Sequence, residues 1–179
     1  AIRGIMLTMN LFFKLTIILY LFSIISCSDT ENIQESNVSE PIMVTTSNVN
    51  TGNIYFDFLS NSEVSISDNW HIGIERDTSN YNMPSFVPGD VQIAVYANME
   101  FDNLVSLPEL YMDDIQNDHT VFGYGGSYEV LSYDITVHKV SVTNPNYVYV
   151  VRSENNIYKL QFLEYLSGIT TFKFAQLDQ

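Results

Sequence analysis

The stretch that decides the fold is "PNYVYVVRSENNIYKLQFLEYLSGITTFKFAQL", residues 145–177. A Tyr/Val run at 147–153 leads into the turn "ENN", and a second run, "IYKLQFLEY", follows at 157–165. The turn "LSG" then leads to a third run, "ITTFKFA", at 169–175. Alternating β-branched and aromatic residues separated by Gly, Asn and Ser are typical of strands. The segment therefore predicts a three-stranded antiparallel meander.

Strand patterns also precede this meander, in "IYFDF" (54–58), "WHIGIER" (70–76) and "VQIAVY" (91–96). In the second of these, period two would place Trp70 with the isoleucines on one face and His71 on the other. Helical signals are few, because Pro108 interrupts the one candidate at 103–116. We predict an all-β fold, a single antiparallel β domain with few or no helices. Arg152 and Lys159, near the "ENN" turn, are expected to be solvated.

The N-terminal region reads as an export signal that ends at the only cysteine of the chain. The apolar run from Leu15 to Ile25 is too short for a comfortable bilayer span but fits a signal peptide with Arg3 and Lys14 before it. In "SIISCSD" (23–29), the order of residues before Cys27 resembles a bacterial lipobox. We expect residues 1–26 to be removed and Cys27 to be lipidated, which leaves no cysteine for a disulfide. The alternative is a free cysteine at the end of a membrane helix.

The residues after Cys27 are polar and acidic as far as Pro41. We interpret residues 27–52 as an acidic flexible tether and residues 53–179 as the β domain. An acidic patch after a lipidated cysteine also resembles the surface-export signal of Bacteroidota lipoproteins. The net charge of −14 disfavours nucleic acid and anionic membrane surfaces as partners. Membrane attachment is therefore expected through the lipid alone, on the outside of the cell.

Motifs of the common enzyme classes are absent from the sequence: it has no nucleophile elbow, phosphate loop, HExxH or paired cysteines. Asp113, Asp114 and Asp118 suggest an oxygen cage for calcium, but the glycine and closing glutamate of an EF-hand are missing. Solvated loop acids are the better interpretation. We expect a protein that is not an enzyme.

Soft metal ligands are the one chemical feature that the sequence offers, because haem iron accepts both His and Met. Two irregular stretches, 78–90 and 112–130, contain Met83 and His119, and Met99 follows a predicted strand. These three are the candidate axial ligands, with Phe122 and Tyr124 as candidate pocket walls. His138, in the strand-like run "YDITVHKV", is expected to be structural. Each His or Met taken alone is more often an ordinary core or surface residue.

The sequence from about Asn53 onward resembles the HmuY family. The resemblance rests on "YFDFLSNSEVSISDNWHIGIER" (55–76), on "VYANMEFDNLVSLP" (95–108) and, most specifically, on the stretch quoted first. Members of that family are Bacteroidota outer-membrane lipoproteins. The resemblance implies an all-β fold, a cell-surface location, haem b bound without covalent attachment by His or Met, and transfer of the haem to a TonB-dependent receptor for iron acquisition. Two alternatives stay open: a surface lipoprotein that binds glycan or protein without haem, and a scaffold subunit.

Overall fold

The computed structural model describes residues 39–79, 81–109, 111, 121–154 and 156–178. All of them belong to one compact unit. The structure is all-β with antiparallel pairing throughout these residues, which confirms the predicted fold class. The strands are β1 (Ile42–Thr45), β2 (Ile54–Asp57), β3 (Ser62–Val64), β4 (Ile72–Asp77), β5 (Met83–Pro88), β6 (Gln92–Tyr96), β7 (Leu131–Asp134), β8 (Lys139–Val142), β9 (Val148–Ser153), β10 (Asn156–Leu166) and β11 (Ile169–Leu177).

The described helical structure is limited to one short 3-10 turn, Phe101–Asn103. Of the helix considered at 103–116, the described residues after Asn103 are not helical. Among the residues that the structure describes, no helix has the length and apolar character needed to cross a bilayer.

The predicted meander forms the centre of the larger sheet, whose order is β1-β11-β10-β9-β6. β10 pairs with β9 on one side and with β11 on the other, with a register irregularity between Phe162 and Glu164. A smaller sheet has the order β3-β2-β4-β5, and β7 and β8 form a separate hairpin.

The two larger sheets face each other across an aromatic core. Phe56 of β2 lies edge-on to Phe172 of β11, with ring centroids 5.3 Å apart. Phe86 of β5 lies 4.4 Å from Phe162 of β10. Residues that alternate along each strand supply this interface, as in other β-sandwiches.

The predicted boundary between tether and domain, at residue 53, is too late. β1 pairs with β11 along its whole length, and Val49, which follows β1, is 1% exposed within the main core. The backbone N–H of Val49 donates to Gly168 O at 2.8 Å. Residues 42–52 therefore belong to the β structure, because they cover an edge of the larger sheet that would otherwise be unpaired.

One of the two expected surface positions is buried in the structure. Lys159 is 2% exposed, and its Nζ donates to the backbone oxygens of Phe101 and Leu104 at 2.7 and 2.9 Å. The expectation that Lys159 is solvated is therefore wrong: its ammonium holds the loop after β6 against β10. Arg152 is exposed, as expected, and its guanidinium lies 5.3 Å from the centre of the Tyr111 ring.

The predicted faces of "WHIGIER" are also wrong at its start. β4 begins only at Ile72, so period two does not extend back to Trp70 and His71. Trp70 packs 4.9 Å from Tyr55, which alternates with the core residues of β2, whereas His71 is 7% exposed and lies against Phe58 in the core.

Candidate functional site

The structure does not bring the described ligand candidates together. Met83 opens β5 in the smaller sheet, so its predicted place in an irregular loop is wrong. Met99 follows β6 of the larger sheet. His119 lies outside the described residues, as do Asp113, Asp114 and Asp118. His138 is in the turn between β7 and β8, where its Nδ1 lies 2.5 Å from Tyr133 Oη. The strand position predicted for His138 is therefore wrong.

The two candidate pocket walls differ in their surroundings. Phe122 is 4% exposed and packs in the main core against Phe86 and Tyr149. Its ring surface is therefore already covered by protein. Tyr124 is half-buried beside Arg76 and Ser85, on the outer face of the smaller sheet, and its N–H donates to Ser85 Oγ at 2.9 Å.

Met99 lines a groove of about 650 Å³ at the start of β9, which we call the Met99 groove. Lys173 reaches this groove from β11, with its Nζ 4.3 Å from the centre of the Phe101 ring. Gln161 stands beside it and donates to Pro145 O at 2.7 Å. The groove therefore combines a thioether and an ammonium with amide groups. Its acids are Glu100 and Asp102.

Tyr111 connects this region to the segment that carries His119. Tyr111 and Met99 pack against the same small apolar cluster, which includes Phe101 and Leu104. The segment 112–120 follows Tyr111 directly in the sequence. Tyr111, the last described residue before that segment, therefore packs against the same cluster as Met99.

The Met99 groove has the size of a ligand site, and most of its lining residues are polar or charged. Its volume lies within the range of about 300–1,000 Å³ that is usual for ligand sites. Met99 offers a thioether sulfur to this groove and Lys173 an ammonium group, which are chemically suited to a soft metal and to a carboxylate, respectively. A haem held there by two protein ligands would need the second from residues outside the groove.

A second cavity, of about 420 Å³, lies at the other end of β9, and His71 and Asp57 form part of its wall. We call it the His71 cavity. His71 immediately precedes β4, and Asp57 is the last residue of β2. The two side chains meet because β2 and β4 are paired neighbours, with Phe56 opposite Ile72.

The Nδ1 atom of His71 has two neighbours that compete for it. It lies 3.0 Å from Asp57 Oδ1 and 3.1 Å from the backbone nitrogen of Phe58, whose N–H donates to it. A neutral ring can accept from Phe58 with its proton on Nε2, or donate to Asp57 with its proton on Nδ1. Nε2 is therefore a donor in the first tautomer and an acceptor in the second.

Burial controls the protonation of this pair. Burial lowers the pKa of His71, and the nearby Asp57 carboxylate offsets only part of that effect. Burial alone would raise the pKa of Asp57. Hydrogen bonds from Ser60 and from the backbone of Leu59, together with His71, lower it overall. The combination at neutral pH is a neutral imidazole beside an ionised carboxylate.

Sequence reasoning missed this pair. Asp57 and His71 are separated by thirteen intervening residues, and neither position stands out by period or spacing. The sequence shows only that both residues lie in predicted strands that contain aromatic residues. Such a signal does not specify which strands pair.

Among the residues that the structure describes, no group of three or more His, Cys, Asp or Glu side chains is arranged to hold a metal ion. Comparisons of the chain with protein-family models, curated proteins and solved structures gave no match.

Proposed function

We propose that this protein is a lipid-anchored, cell-surface haem-binding protein that passes haem to a TonB-dependent outer-membrane receptor. The protein would do no chemistry on the haem. Its part is to bind haem b without covalent attachment and to release it to a partner. The resemblance to the HmuY family motivates this proposal.

The position of Met99 carries the proposal. Of Met83 and Met99, the two ligand candidates that the structure describes, Met99 lines a groove of about 650 Å³, and an ammonium lies in the same groove. Thioether sulfur is a soft ligand for haem iron. Lys173 would hold a propionate, and Phe101 lies beneath that ammonium.

His119 is the proposed second ligand. The segment that carries it follows Tyr111, which packs against the same apolar cluster as Met99. A ligand from a separate segment suits a flat ring, because the two axial groups must approach from opposite faces. The experiment below tests the two residues separately.

Titration of the full chain with ferric haem tests the binding directly. We expect a shifted Soret band with a six-coordinate low-spin spectrum at micromolar haem. Met99→Ala and His119→Ala should each give a high-spin spectrum, with affinity lowered at least about tenfold, or ~1.4 kcal/mol.

Met83→Ala is the matched control, because it removes a methionine from the other sheet and should leave the spectrum unchanged. A spectrum that changes in Met83→Ala but not in Met99→Ala would contradict the use of the Met99 groove. A Soret band that does not shift at micromolar haem would overturn the proposed function itself.

The anchor is tested at Cys27, which lies outside the described residues. Cys27→Ser should abolish incorporation of labelled palmitate in a bacterial host, because no other cysteine is present to accept an acyl chain. Ser26→Ala, which keeps a small residue before the cysteine, serves as the control and should retain the label. Equal labelling of Cys27→Ser and the unmodified chain would rule out this anchor.

A further inference from the structure

The His71 cavity has a strongly one-sided charge. Its lining includes Asp57, Asp68, Asp90 and Glu154, and no Lys or Arg among the described residues contributes to it. Asp57 and Asp68 accept hydrogen bonds from nearby backbone N–H groups. Asp90 and Glu154 are exposed and have no hydrogen-bond or ion-pair partner in the described part of the chain. The cavity therefore presents a negative potential to any solute that enters it.

His71 adds an unpaired acceptor or donor at the wall of this cavity. The side chain is more than nine-tenths buried, at 7% exposure. Its Nδ1 is used by Phe58 and Asp57, whereas Nε2 has no hydrogen-bond partner among the described residues and is not one of the fully buried unpaired atoms. Since His71 lines the cavity and its Nδ1 is occupied, Nε2 is the ring nitrogen that is left to bind a ligand there.

Trp70 supplies an aromatic wall beside these groups. It lines the same cavity, and its ring is held by Tyr55 at a centroid distance of 4.9 Å. Tyr55 is itself fixed, because its hydroxyl donates to Glu75 at 2.7 Å. Tryptophan is the aromatic side chain that attracts cations most strongly.

We propose that the His71 cavity binds a small organic cation through a primary ammonium group. The ammonium N–H donates to Nε2 of His71 in the tautomer whose Nδ1–H donates to Asp57, and in that tautomer the backbone N–H of Phe58 gives up its hydrogen bond to Nδ1. Asp90 and Glu154 provide charge complementarity at the cavity, and Trp70 packs against the alkyl and ammonium portions of the ligand. A bare metal ion is the poorer fit, because no set of three or more ligating side chains is arranged for one among the described residues.

This site is separate from the Met99 groove. The groove involves Asn146, before the start of β9, and the His71 cavity involves Ser153, at the end of that strand. The two share no lining residue. The inference does not depend on haem binding, and it is tested with haem-free protein.

The chain contains a single tryptophan, so intrinsic fluorescence reports on the cavity specifically. The full chain, free of haem, is titrated at low ionic strength with putrescine, a four-carbon diamine, and in parallel with 1,4-butanediol, its neutral analogue. We expect a saturable change in Trp70 emission with the diamine and none with the diol. The His71 Nε2 resonance, observed in two-bond ¹H–¹⁵N spectra, should shift over the same concentration range.

Charge-neutral variants complete the experiment. Asp90→Asn combined with Glu154→Gln should raise the half-saturating diamine concentration about tenfold, because it removes two charges from the cavity without removing a hydrogen bond seen in the fold. Glu109→Gln combined with Glu164→Gln removes the same amount of charge elsewhere in the chain. This variant should change the half-saturating diamine concentration less than about twofold. A saturable response to the diol, equal weakening in both double variants, or the absence of a Trp70 response to the diamine would overturn the proposal.

Discussion

Protonation of the His71 imidazole affects the free energy of unfolding of the whole chain. Burial lowers its pKa below the ordinary value of 6.5, so the folded protein holds the ring neutral under conditions in which the unfolded chain binds a proton. Below about pH 6.5 the unfolded chain therefore carries more protons than the folded one. The contribution of His71 to stability is complete above that pH and declines as the pH falls.

We predict that His71→Gln will flatten the dependence of unfolding free energy on pH between about pH 7 and pH 5. Urea denaturation followed by Trp70 fluorescence at several pH values measures this. His138→Gln, at an exposed turn, is the control and should keep the slope of the unmodified protein. A slope that persists in His71→Gln would show that the buried imidazole is not its source.

At the scale of elements, the turn between β10 and β11 depends on its two central residues. Ser167 and Gly168 both have positive φ, 52° and 96°, as a two-residue type I′ hairpin turn requires. Asn48 and Asn50 donate side-chain hydrogen bonds to Ser167 O at 3.1 and 3.0 Å. The turn thus also fastens the segment after β1 to the end of the meander.

Gly168→Ala should lower the free energy of unfolding by about 1–3 kcal/mol, because alanine is strained at this φ and its Cβ would collide with the amides of Asn48 and Asn50. Chemical denaturation compares the variants. Gly52→Ala is the control: a Cβ there meets nothing within 4 Å, so we expect a change within about 0.5 kcal/mol. Equal effects of the two substitutions would mean that neither the φ nor the crowding at Gly168 matters.

At the scale of the whole molecule, the segment before β2 completes the sandwich. Thr46 exchanges two hydrogen bonds with Thr170: its N–H donates to Thr170 O at 2.9 Å, and its Oγ1 accepts from Thr170 N at 3.0 Å. Val49 fills a fully buried position in the core. Without these residues β11 becomes an unpaired edge strand.

A chain that begins at Asn53 should therefore be less stable than one that begins at Ser39, by at least about 3 kcal/mol. Thermal unfolding followed by circular dichroism compares the two, and both should show a β-type spectrum where they fold. Val49→Ala in the longer chain measures what the burial of this side chain contributes to stability. It should account for part of the unfolding free energy that the shorter chain loses. Equal melting temperatures for the two chains would restore the boundary at residue 53.

The sequence by itself determined the β character, the central meander and the turn at Ser167–Gly168, because period two and turn residues act over a few neighbouring positions. It also identified Met99 as a residue that follows a strand. It misassigned Met83, which lies in a strand although prolines follow it at 84 and 88: β5 is the edge strand of its sheet, where proline is tolerated.

Only the tertiary structure decided which segments meet. Lys159 is buried because the loop after β6 presents two backbone oxygens to it, and His71 is buried because β4, which it immediately precedes, pairs with β2. The short strand β1 forms because the edge of β11 is available for pairing. Local pattern carries no information about these partners, since the free energy that selects them comes from contacts between residues far apart in the sequence.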